Sequence, residues 1–147
     1  MKQFSMRIKK LSDNATVPTY GSDFSAGADL YACAEKEIVI EAGQTVLVHT
    51  GLAMEIPEGL VGLIYARSGL ASKRGLAPAN KVGVVDSDYR GEIMVALHNH
   101  STAPQTVAHG ERIAQMVFAP YYTADFILSD ELDDTVRGTG GFGSTGK

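Results

Sequence analysis

The chain has 147 residues, enough for one domain whose core needs neither disulfides nor a structural metal. Hydrophobic residues supply 44% and charged residues 20%, ordinary globular proportions that argue against disorder, and no apolar run approaches the ~20 residues of a membrane span. Thirteen basic against seventeen acidic side chains leave a net charge of −4, which speaks against broad binding to a nucleic-acid backbone and confines phosphate recognition to particular loops.

Apolar residues recur mainly with period two. Phe4, Met6 and Ile8 alternate with Ser5, Arg7 and Lys9 and predict a first strand. The apolar stretch Ala26 to Ala32 (AGADLYA) carries Asp29, an acid that needs a partner if it is buried. Strands are predicted next at Glu37 to Ile40, Thr45 to Val48, Leu52 to Ile56 and Leu60 to Tyr65. The short stretch Ser68 to Arg74 is the one helical segment. Asn80 to Glu92 (NKVGVVDSDYRGE) reads as a hairpin leading into a strand at Glu92 to Leu97. Arg112 to Phe118 fits both periods and is read as a strand that Pro120 limits, and Ala124 to Leu128 is read as the last strand. Turn residues punctuate these runs at roughly 8 to 12 residue intervals, which predicts an all-β sandwich or barrel and no doubly wound α/β sheet.

Cys33 has no second thiol with which to pair, and the segment MKQFSMRIKK is charged throughout, unlike the apolar core of a secretory leader. A reducing, cytoplasmic location is expected, with no membrane partner.

Three segments offer chemistry. In Arg137 to Gly146 (RGTGGFGSTG) five of ten residues are glycine, so this tail is expected to be flexible. Its successive N–H groups, the Ser144 and Thr145 hydroxyls and the Arg137 guanidinium could cradle an anion, and Phe142 could stack on a base. A disordered polar tail is the plain alternative. GFGSTG matches G-x-G-x-x-G by spelling only, since a dinucleotide loop requires a strand before it and a helix after it. Arg67 and Ser68 stand where a strand turns into the short helix, a place that suits phosphate, although Ser68 could merely cap the helix. Asp86 and Asp88 follow an apolar run; either could take a proton from water, or both could be turn formers. His98 and His100 could share a strand face, but a zinc site needs further ligands at defined spacing.

Together, AGADLYA, ARSGLA, VGVVDSDYRGE, GERIAQM and RGTGGFGSTG resemble, in order and wording, the five motifs of the trimeric deoxyuridine triphosphatase (dUTPase) family, from about Ala26 onward. The resemblance implies a distorted jelly-roll or β-sandwich, with residues 1–136 as the β domain and 137–147 as a flexible glycine-rich lid. It implies hydrolysis of dUTP to dUMP and pyrophosphate, limiting uracil in DNA and supplying dUMP for dTMP synthesis. Mg²⁺ would be chelated by the phosphates, and Asp29 would reach it through water. Asp86 would be the general base and Gln115 would help position water or phosphate. Arg67, Ser68 and Gly69 match phosphate ligands; Asn80, Gly83, Val84 and Val85 match the uracil-reading hairpin. Tyr89 would pack beneath the deoxyribose, and Met94 matches a further contact. Arg137 would hold the γ-phosphate, Phe142 would stack on uracil, and Gly143, Ser144 and Thr145 would complete the cradle. The family's active sites combine segments of different subunits, which implies a homotrimer.

Ala66 stands where a proline commonly precedes the arginine of the second motif, and the histidines of LHNH, Leu97 to His100, are not part of the pattern. The nearest alternative of the same fold, dCTP deaminase, requires a catalytic glutamate and a differently worded arginine–serine motif. A non-catalytic nucleotide-responsive regulator is the alternative of another class.

Overall fold

The structure, a computed structural model, describes residues 4–141. Eleven strands and one helix lie among them. One antiparallel sheet has the order β1 (Arg7–Lys10), β5 (Thr45–Glu55), β9 (Glu92–Asn99), β7 (Leu76–Pro78). A second runs β2 (Thr19–Tyr20), β3 (Ala28–Tyr31), β11 (Arg112–Pro120), β6 (Leu60–Tyr65), β8 (Gly83–Val85). A small pair joins β10 (Gln105–Val107) to β4 (Ile38–Ile40). The fold class is the expected one, a β-sandwich of jelly-roll type with α1 (Ser68–Arg74) as the helix.

Alternation decides which residues fill the sandwich. In β9, Ile93, Val95, Leu97 and Asn99 are buried while Glu92, Met94, Ala96 and His98 are partly exposed, so one strand builds core with every second side chain. Leu30, Ile64 and Met116 from the facing sheet complete that core with Val48 and Leu52. Asn99 is the polar member, and its amide is satisfied by the Ile40 and Ala103 carbonyls at 2.9 and 2.8 Å.

The two strands predicted at Thr45 to Val48 and Leu52 to Ile56 are a single strand, β5, which pairs first with β9 and then with β1. Its register shifts between His49 and Ala53, where Gly51 adopts a positive φ of 68° and donates its N–H to Glu92 Oε1 at 2.8 Å. A bulge of this kind bends a strand without ending it, and in sequence the glycine reads as a break.

The strand predicted at Ala124 to Leu128 does not form. Phe126, Ile127 and Leu128 are 93%, 85% and 98% exposed, and among the described residues no strand pairs with them. β-propensity without a partner does not make a strand. The chain leaves the sandwich at Pro120, which pairs with Leu60, and every residue from Tyr121 to Thr139 is exposed.

Candidate active site

The second sheet places a row of polar side chains outside the core. Thr19 pairs with Asp29, Asp29 with Gln115 and Gln115 with Tyr65, so these four stand in register across β2, β3, β11 and β6. Their neighbours Leu30, Met116 and Ile64 point the other way, into the core. Gln115 lies flat because residue 27 is glycine: a Cβ there would come within 2.3 Å of the Gln115 side-chain oxygen. The Gln115 amide donates to the Ala66 carbonyl at 2.9 Å, which ties β11 to the entrance of α1.

Asp29 is nearly buried, with 10% of its side chain exposed, and it meets the requirement for a partner twice. Arg67 Nε donates to Oδ1 at 2.8 Å and Arg112 Nη1 to Oδ2 at 3.3 Å. The second pairing depends on a bulge. By plain alternation Arg112 would face away from Gln115, three residues on, but the β11–β3 register shifts between Arg112 and Ala114 and turns the guanidinium onto the Asp29 face.

Arg67 is the N-cap residue of α1, in extended conformation and without a side-chain capping bond, and Ser68 is the first helical residue. The capping role considered for Ser68 is therefore not what it does; its exposed hydroxyl faces a cleft. The far end of α1 is held by Arg74, whose guanidinium donates to Glu111, to the Thr106 carbonyl and, at 3.2 Å, to Gln105.

These elements enclose a cleft of about 1110 Å³, lined among others by Asp29, Arg67, Ser68, Gly69 and Gln115. Five basic side chains line it (Arg67, Lys73, Arg74, Lys81 and Arg112) against two acidic ones, Asp29 and Glu111. On a chain of net charge −4 this is a local excess of positive charge, which attracts a polyanion.

The remaining expected site residues lie in a different place. Asn80, Gly83, Val84, Val85, Asp86, Tyr89 and Met94 line a smaller cleft of about 250 Å³ beside β8 and β9. Among the described residues β8 is the edge of its sheet and pairs with β6 alone, so along its outer side alternate backbone N–H and C=O groups face no other described strand. A planar base with alternating donors and acceptors suits such an edge. Asp86 follows β8 directly, with its side chain exposed, and the Tyr89 N–H closes the turn on the Asp86 carbonyl at 3.2 Å. Arg90 braces that turn through the Ser87 and Tyr89 carbonyls at 2.6 and 2.9 Å. The Tyr89 hydroxyl donates to the Glu92 carbonyl at 3.0 Å, and its ring lies where a Cβ on Gly91 would sit, at 2.3 Å from the hydroxyl oxygen.

The two clefts share no lining residue. Asp86 and Gln115, the expected catalytic pair, are thus on different clefts of one chain. Arg137 lines neither and donates from Nε to the Gly140 carbonyl at 2.9 Å. Phe142, Gly143, Ser144 and Thr145 lie outside the described residues. Lys73, Lys81 and Arg112 were not singled out from sequence; the nearest signal was the basic residue within GERIAQM, whose direction depends on the bulge.

Residues 13–146 match the dUTPase family profile. Among similar proteins, deoxyuridine 5'-triphosphate nucleotidohydrolase from Desulfitobacterium hafniense (strain DSM 10664 / DCB-2) is 56% identical over 131 residues, covering 88% of this chain and 87% of its own length. The protein of the same name from Glaesserella parasuis serovar 5 is 45% identical over 150 residues, covering 100% and 99%. Among solved structures, the Staphylococcus bacteriophage 80alpha dUTPase with dUPNHPP superposes with a TM-score of 0.89 at 28% identity, covering 99% of this chain and 100% of that one.

Proposed function

The chain belongs to the dUTPase family, and from that premise we propose that it is a dUTP diphosphatase whose two clefts are the separate halves of an active site completed between subunits. The reaction is dUTP + H₂O → dUMP + pyrophosphate, which keeps uracil out of DNA and supplies dUMP for dTMP synthesis. One observation carries the reading: a cationic cleft suited to a triphosphate and an edge-strand cleft suited to a base lie on one chain without a shared wall. A homotrimer in which the small cleft of one subunit meets the large cleft of another would unite Asp86 with Gln115. The exposed apolar residues of the arm after Pro120 suit a partner subunit.

The donor set fits an indirectly held Mg²⁺. Among the described residues no three His, Cys, Asp or Glu side chains gather to cage a metal. Mg²⁺ ordinarily binds through substrate phosphates, water and one or two carboxylates. Asp29 has both oxygens engaged by arginines yet keeps lone pairs for a metal-bound water. When bound, Mg²⁺ neutralises phosphate charge.

In this reading Arg67, Ser68 and Gly69 hold the phosphates, with Ser68 stabilising the bridging oxygen of the leaving pyrophosphate. Asp86 takes the proton of the water that attacks the α-phosphorus, and Gln115 orients water or phosphate. The Asn80 amide and the outer edge of Gly83, Val84 and Val85 read uracil. Cytosine presents an amino donor where uracil has a carbonyl, and a fixed donor opposite it is left unpaired. Tyr89 packs beneath the deoxyribose and Met94 adds a contact. Residues 137–147 act as the lid: Arg137 binds the γ-phosphate, Phe142 stacks on uracil, and Gly143, Ser144 and Thr145 close around the phosphates. No helix among the described residues is long and apolar enough to cross a membrane, and a cytoplasmic location suits the substrate.

The test is to incubate the protein with Mg²⁺ and each of dUTP, dCTP, dTTP and UTP, resolving nucleotides and pyrophosphate. We expect dUMP and pyrophosphate from dUTP. Deamination of dCTP, or no turnover of dUTP, would overturn the reading.

A further inference from the structure

The turn that carries Asn80 into the small cleft also carries Lys81 into the large one. Lys81 is the non-glycine residue with a positive φ among the described residues, at 61°. The Val82 N–H reaches back to the Asn80 carbonyl at 2.7 Å and closes a three-residue turn around it, while the Lys81 N–H donates to the Pro78 carbonyl at 3.1 Å. A tight turn of this kind at positive φ is strained for any residue with a Cβ, and glycine would hold it without cost. Residues held in such conformations cluster at active sites and ligand clamps. Within the described residues the Lys81 ammonium makes no hydrogen bond or ion pair, so no internal contact accounts for it.

We propose that Lys81 is a further substrate-binding residue, which supplies an ammonium to the triphosphate in its own chain's large cleft, while the same turn presents Asn80 to the base of the site shared with a neighbouring subunit. This rests on the dUTPase reading of the two clefts. Arg67 and Arg112 already share the Asp29 carboxylate, and Arg74 is committed to Glu111, Gln105 and Thr106. Lys73 and Lys81 are thus the lining cations whose charge is not already spent on a protein partner, and Lys81 alone of the two is held in place by a constrained backbone. A charge-assisted contact from an ammonium to a phosphate oxygen would favour tri- and diphosphates over a bare nucleoside.

The full chain is compared with Lys81→Met, Lys81→Arg and Lys81→Gly, reading inorganic tripolyphosphate binding with Mg²⁺ by calorimetry and steady-state dUTP hydrolysis. Lys81→Met should weaken tripolyphosphate binding and raise KM for dUTP by about tenfold, the scale of one charge-assisted hydrogen bond, with the effect on KM rather than kcat. Lys81→Arg should retain most of the affinity. Lys81→Gly relieves the backbone but removes the charge, and should be as weak as Lys81→Met. Wild-type affinity for tripolyphosphate in Lys81→Met would overturn the proposal, and so would a Lys81→Gly variant that binds like the wild type. Failure of the wild-type chain to hydrolyse dUTP would instead sink the dUTPase reading, and the tripolyphosphate titration would still decide Lys81.

Discussion

The two clefts are built by opposite means. The large one is built of long charged side chains converging from four elements, α1, β3, β11 and the turn after β7, with Arg67, Arg74 and Arg112 fixed by ion pairs. The small one lies along the outer edge of β8, with Asp86, Tyr89 and Asn80 around it and Leu47, Ile64, Ile93 and Met94 also in its lining. Charge gives affinity for a phosphate chain but little discrimination between bases, whereas an edge of fixed donors and acceptors discriminates and contributes little attraction at a distance. In the proposed function this difference divides the work: the large cleft would capture the substrate and the small one would identify it.

The largest effect should come from removing the group that stands between those tasks. Asp86→Asn keeps size and shape but cannot take a proton, so turnover should fall by about 10²- to 10⁴-fold with dUTP binding retained. Equilibrium binding and kcat measured on one preparation check this, and unchanged turnover would remove Asp86 as base. The comparison is sharpened by mixing. Ser68→Ala disables the large cleft and Asp86→Asn the small one, so refolding the two inactive variants together should restore turnover only if a site takes one cleft from each of two chains. Mixtures as inactive as their components would show that both clefts of a single chain are used together.

A smaller effect is expected at Tyr89, which is held against Gly91 and bonded to the Glu92 carbonyl. In the proposed site Tyr89 forms the floor that excludes a 2′-hydroxyl, so Tyr89→Ala should narrow the preference for dUTP over UTP by about tenfold. The ratio of kcat/KM for the two nucleotides reads it directly. If the loss were equal for both, the ring would serve the turn and not the choice of sugar.

What could be read from sequence divides along the same line. The small cleft is mostly local, since Asn80 to Met94 supplies all of its lining except Leu47 and Ile64, but the hairpin expected there does not form: β8 pairs with β6 and β9 with β5 and β7, so the segment crosses from one sheet to the other. The large cleft is assembled from residues 38 to 83 positions apart, and Asp29, Arg67 and Ser68 were legible only as motif words. Arg112 needed the β11 bulge to turn it, and Lys81 needed a backbone angle that composition does not reveal. In the fold, long alternating strands such as β9 announced themselves, while β2, β7 and β10, of two or three residues, are too short to display a period. The segment Ala124 to Leu128 has strand composition, but pairing depends on a neighbour that the described residues do not provide.

The smallest effect separates two acid–arginine pairs of similar chemistry. Glu55 takes a hydrogen bond from Arg7 at 2.7 Å across β1 and β5, and Arg90 stands 3.9 Å away. That hydrogen bond holds the Glu55 carboxyl below its ordinary range, against a weaker opposing effect of burial, so the carboxylate form is favoured in the folded chain. A carboxyl lowered in this way contributes stability above its unfolded pKa and loses it as pH falls through the folded value. The pair is largely exposed, so water and salt screen it, and Glu55→Gln should leave the melting temperature almost unmoved at neutral pH. Any deficit should vanish in acid, where Glu55 is protonated in the wild type as well. Asp29→Asn removes a carboxylate that is only 10% exposed and leaves two guanidinium groups facing each other without their shared counter-ion, so it should cost far more. Thermal melts of both variants across pH check the contrast, and equal losses would mean that the Asp29 cluster is solvated as freely as the surface pair.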